Sequence, residues 1–117
     1  MATLTTKARS SDLRASVWVD ESPIELVSGT SYTLSLTWLG ASSVTVTSVT
    51  IYRAGTDVSS TNMPAGSHSA SGNVATFKPL TALVANTVLI LSIVCAVDSN
   101  TEVRKLRVMV KQPATEN

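Results

Sequence analysis

Residues 87–97 read TVLILSIVCAV, an unbroken apolar run rich in β-branched side chains and bounded by turn-forming residues. Successive side chains of a strand point to opposite faces. Leu89, Leu91, Ile93, Cys95 and Val97 therefore line one face, and Val88, Ile90, Val94 and Ala96 the other. A strand apolar on both faces needs cover on both sides, so this run predicts a central strand. It is about half the length that a membrane-spanning helix needs, so it predicts no anchor.

The remaining pattern agrees with a chain built from strands. SYTLSLTW, residues 31–38, alternates cleanly: Tyr32, Leu34, Leu36 and Trp38 point one way, and Thr33, Ser35 and Thr37 the other, predicting a strand with one wet face. In VTVTSVTIYR the apolar phase runs Val44, Val46, then Val49, Ile51. The slip at Thr47 and Ser48 predicts a β-bulge, because one extra residue reverses the facing. Leu13, Ala15, Val17 and Val19 alternate with Arg14 and Ser16 as a half-buried strand with Trp18 on its other face, followed by a turn at Asp20, Glu21, Ser22 and Pro23. A short Ile24–Val27 segment and an Asn73–Phe77 strand complete the middle of the chain. After the turn residues Asp98, Ser99 and Asn100, the last strand runs from about Glu102 to Lys111, with Leu106, Val108 and Val110 inward and Lys105, Arg107, Met109 and Lys111 outward.

Ser and Thr together make up roughly a quarter of the residues, and helix formers such as Glu, Lys and Gln are scarce. With 44% hydrophobic and 15% charged residues, the 117-residue chain is too apolar for disorder and long enough for one domain with a core of its own. About seven short strands without a helical window predict an all-β Greek-key β-sandwich. The single Cys95 forbids an internal disulfide and reads as a small buried hydrophobe.

Two segments lack a face to bury. MATLTTKARSSD is small, polar and weakly basic, and predicts an arm over 1–12, either frayed or laid on a neighbouring subunit by strand addition. Residues 54–73, AGTDVSSTNMPAGSHSASGN, hold three of the five glycines and read mostly as loop, with a short strand around Asp57 to Ser60. The sandwich domain is thus expected over 13–111, with a polar tail over 112–117. Neither a secretion signal nor an internal repeat is visible in the sequence.

Three stretches resemble fibronectin type III and related immunoglobulin-like modules. SYTLSLTW resembles their second strand, ending in a tryptophan that caps the core; VTSVTIYRAG resembles the third; LTALVANTVLILSIVCAV resembles their loop-then-strand. Val88 stands where such domains carry a corner tyrosine, and Ala85-Asn86 replaces the usual proline-glycine turn. IYRAGTDVSS, SGNVATFKPLTALV, the long apolar strand and its basic hairpin partner also resemble small immunoglobulin-like proteins of tailed-bacteriophage particles. That resemblance implies a virion component made in the host cytoplasm, a capsid decoration or head-to-tail accessory protein. Its partners would be other virion proteins such as the major capsid protein, with a homo-oligomer as a further expectation.

Catalysis needs a nucleophile with a base, carboxylates in contrasting environments, or a metal set. His68 is the only histidine and sits in the Gly/Ser-rich loop with no Cys or acidic residue close to it in sequence, as a solvated residue. Cys95 has no basic neighbour in sequence to activate it. Asp98 and Glu102 flank a turn but fall short of the oxygens calcium needs, and Asp20, Glu21 and Glu25 read as a solvated turn. Gly66 and Gly72 lie in a loop without the lysine of a phosphate-binding loop. The sequence therefore predicts no enzyme, no metal and no cofactor.

Contact through charge is the better expectation. Arg104, Lys105, Arg107 and Lys111 concentrate on the last strand, and Lys7 and Arg9 on the arm, as candidate protein-contact residues. Cations on a terminal strand also guard a sheet edge. A net charge of +1 and 4% aromatics give no reason to expect nucleic acid, and no membrane partner is expected. The competing expectation is a bacterial cell-surface or carbohydrate-associated sandwich, which would need aromatic platforms on an exposed face. If the second face of residues 89–97 is uncovered in the monomer, an oligomer follows.

Overall fold

The structure, a computed structural model, describes residues 2–9, 19 and 22–112, with no side-chain description at 2–4, 8 and 9. Among these residues the chain is an all-β sandwich. Its strands are β1 (Ala2–Arg9), β2 (Ile24–Val27), β3 (Tyr32–Leu39), β4 (Val44–Arg53), β5 (Thr56–Asp57), β6 (Ser69–Ser71), β7 (Val74–Thr76), β8 (Thr87–Val97) and β9 (Asn100–Lys111), with one helical turn, α1 (Ser59–Asn62). They form a four-stranded sheet in the order β1-β3-β7-β6 and a five-stranded sheet in the order β2-β9-β8-β4-β5. The expected strand from Leu13, with Trp18, lies outside the described residues except for Val19. Val19 is buried and donates its N–H to Lys105 O at 2.9 Å. The tail beyond Gln112 also lies outside them.

Period-two alternation builds the core between the sheets. Leu34, Leu36 and Trp38 of β3 meet Leu89, Leu91, Ile93, Cys95 and Val97 of β8, Leu106, Val108 and Val110 of β9, and Ile51 of β4. Burying each aliphatic side chain of this size contributes about 1.5 to 3 kcal/mol. The apolar run of residues 87–97 is central within its sheet, paired antiparallel to β4 on one side and β9 on the other, but its second face is not covered: Val88 is exposed and Ile90, Val94 and Ala96 are half-buried. The register of β4 against β8 shifts between Val46 and Ser48, where the apolar phase slips. At the β8–β9 hairpin, Asp98 and Ser99 both have positive φ, 47° and 74°, the backbone of a two-residue turn whose twist suits the flanking strands.

Three features depart from the sequence reading. The N-terminal arm is a strand: β1 pairs parallel with β3 in unbroken register, from Ala2 opposite Tyr32 to Arg9 opposite Leu39. Backbone pairing needs no apolar periodicity, so a polar segment gave no sign of it. The outer face of β3 is correspondingly drier than expected. Ser35 is buried; its carbonyl accepts from Thr6 Oγ1 at 2.8 Å, and its hydroxyl donates to Thr5 Oγ1 at 3.4 Å.

The third departure is the long loop, which contains β5, α1 and β6 and is anchored to the body. Asn62 is buried and donates from Nδ2 to Thr81 O at 2.9 Å, while its own carbonyl accepts from Thr81 N–H at 2.7 Å. Met63 joins the core, and Val58 packs against it. Buried polar groups hold position only when their hydrogen bonds are made, and Asn62 fastens the loop to the segment before β8. Tyr32 performs a similar task across the sandwich, its hydroxyl accepting from Val27 N–H at 3.0 Å and so linking β3 to β2.

Candidate interaction surface

Strand β9 carries most of the candidate contact residues, and the pleat divides them. Lys105, Arg107 and Lys111 are exposed on the outer face of the five-stranded sheet, as their alternation with Leu106, Val108 and Val110 requires. Arg104 does not join them. It shares the parity of the inward residues and is buried, as is Glu102, and the two side chains form an ion pair of 2.8 Å between Arg104 Nη2 and Glu102 Oε1. The guanidinium lies 4.9 Å from the centroid of the Trp38 ring, and Nη1 donates to Val103 O at 2.9 Å. Arg104 is therefore removed from the contact set. The alternation was the available signal, for Glu102 and Arg104 extend the inward phase by two positions.

The opposing sheet contributes the other two basic candidates. Lys7 is exposed on β1, opposite Thr37, and Arg9 ends that strand opposite Leu39. They belong to the β1–β3 side of the sandwich, so the candidate cations are not gathered into one patch.

Cross-strand register defines what surrounds Lys105 and Arg107. On the outer face, Val88 pairs with Met109, Ile90 with Arg107, Ser92 with Lys105, Val94 with Val103 and Ala96 with Thr101, while Tyr52 on β4 pairs with Ile90. Tyr52, Val88, Val103 and Met109 are four of the six large apolar residues left exposed among the described residues, at 38% to 42% of their surface. The face is thus an array of apolar side chains with cations between them. Lys111 Nζ lies 3.5 Å from Glu25 Oε2 at its β2 margin, an exposed pair worth little to stability.

The groups weighed for chemistry are occupied structurally. Asp98 accepts from the backbone N–H groups of Ser42 (3.1 Å) and Ser43 (2.9 Å), joining the β8–β9 turn to the loop before β4. Glu102, the other carboxylate flanking that turn, is turned into the core. Cys95 is fully buried, and burial pushes its thiol up to about 11, far from thiolate character at neutral pH.

The Trp38 indole N–H is buried without a conventional acceptor. The Cys95 sulfur, a weak acceptor, feels it as a small opposing influence on the thiol.

His68 is half-buried rather than solvated. Its Nδ1 accepts from Lys78 N–H at 3.1 Å, and its ring meets Phe77 edge-on at 5.9 Å. Burial, with a smaller contribution from the Lys78 charge, holds its pKa below the ordinary histidine value.

Among the described residues no three His, Cys, Asp or Glu side chains gather as a metal site. No helix there is long and apolar enough to cross a membrane. Trp38, Tyr32 and Phe77 are core residues, leaving Tyr52 as the exposed aromatic of the described strands. No protein-family model matches the chain, and no curated protein sequence matches it.

Proposed function

We propose that the chain is a non-enzymatic structural protein of a bacteriophage virion, a capsid decoration or head-to-tail accessory protein. It binds other virion proteins, such as the major capsid protein, through the outer face of the five-stranded sheet. The observation that carries this reading is the composition of that face: exposed Tyr52, Val88, Val103 and Met109 with Lys105 and Arg107 set among them. Tyrosine, methionine and arginine are enriched where proteins meet, and an open sheet face offers area rather than a reactive cleft. Repetition over the copies of a particle multiplies a weak contact of this kind.

Two further features support the reading. The strand order β1-β3-β7-β6 against β2-β9-β8-β4-β5 fits the immunoglobulin-like assignment made from SYTLSLTW and the 87–97 strand. The histidine, the cysteine and the Asp98–Glu102 pair are all engaged in packing or turns. The reading is tested by sedimenting virions and empty capsids from cells that produce the chain and counting its copies per particle. Co-sedimentation at a fixed copy number supports it. Absence from particles combined with saturable glycan binding overturns it in favour of a bacterial cell-surface module.

A further inference from the structure

The ends of the two sheets are unequal. Three of the four edge strands are short: β2 has four residues and follows Pro23, β5 has two and β6 has three. Short edges offer too few backbone groups to template another strand, a common protection against association. The fourth edge is β1, with eight residues, no glycine, no proline and an unbroken register against β3. One side of this strand faces β3, and among the described residues no strand lies on its other side.

We propose that this edge is a self-association surface on which a second copy of the chain adds its own β1 in antiparallel orientation, making one continuous sheet across a two-fold axis. The strand is suited to its own copy. With the axis at Thr6, Arg9 stands opposite Thr3 and Lys7 opposite Thr5, so the two cations of each strand meet uncharged positions. A parallel in-register copy sets Lys7 against Lys7 and leaves the arrangement open rather than closed. Equal length follows from identity, and main-chain hydrogen bonds contribute the affinity without side-chain pockets. The inference is independent of the virion reading, since it concerns the opposite sheet.

Sedimentation of the full chain over a concentration series tests it, together with amide exchange at low and high concentration. The expected result is a mass that doubles with concentration, accompanied by slowed exchange at alternate β1 amides, those directed away from β3. Neighbouring residues of a strand direct their N–H groups to opposite edges. One of Leu4→Pro and Thr5→Pro therefore removes an outward donor while sparing the β3 ladder. That variant raises the dimer dissociation constant by about tenfold or more with an unchanged denaturation midpoint.

Monomer mass up to about 1 mM overturns the proposal, as does concentration-dependent protection on β8 and β9 in place of β1. Association unaffected by either proline overturns it too. Should both variants unfold, the exchange pattern of the unmodified chain decides.

Discussion

Arg104 lies inside the sandwich with its guanidinium 4.9 Å from the Trp38 ring centroid, held there by Glu102 from its own strand. The charge of each partner is tolerated in the core only because the other is present. Removing one leaves an uncompensated buried charge, at a cost of about 3 to 5 kcal/mol. Arg104→Met is therefore expected to lower the urea midpoint sharply, whereas Arg104→Met combined with Glu102→Leu recovers most of the loss. Equal stability of Arg104→Met and the parent would show that the pair is not coupled in this way.

Stability near neutral pH should depend on His68. Its folded pKa is depressed below 6.5, so the unfolded chain binds the proton more readily. The contribution is complete above the unfolded value and declines as pH falls through it towards the folded value. Urea midpoints should fall from about pH 7.5 to about pH 5, and His68→Gln should flatten that slope. Asp57, whose carboxylate is held below 3.8 by hydrogen bonds from Ser59, adds a separate loss at lower pH that His68→Gln leaves in place.

Cys95 should be inert in the native protein. Its sulfur is fully buried and its thiol is raised to about 11. A thiol-specific disulfide reagent at neutral pH should label it only at the rate of unfolding, and at once in denaturant. Fast labelling of the folded chain would place the residue nearer to solvent than the sandwich allows.

Substitutions on the outer face separate binding from folding. Val88 and Met109 face each other across β8 and β9 and are each 42% exposed, so Val88→Lys and Met109→Lys should shift stability by no more than about 0.5 kcal/mol. Both should reduce particle association at least tenfold if this face makes the contact. Unchanged association would move the contact to another surface.

Much of the β structure was legible because it is local. Alternation in 32–38 and 106–110 assigned side chains to faces, since the pleat has a period of two whatever surrounds it. The slip at Thr47 and Ser48 marked the bulge for the same reason. The candidate contact surface was half legible. Lys105, Arg107 and Lys111 were placed outward by parity, but Arg104 was grouped with them by charge, although its parity with Leu106 pointed inward.

By itself the sequence determined that the chain forms a two-layer β structure and that the 87–97 strand lies at the centre of a sheet, because a strand apolar on both faces has no stable place at a wet edge. Only the tertiary structure decided which strands become neighbours. It brought Arg104, paired with Glu102, against Trp38, a residue far away in the chain for which no local pattern encodes a meeting. It also set the polar N-terminal segment beside β3, through backbone groups that every residue carries and that leave no mark in side-chain periodicity.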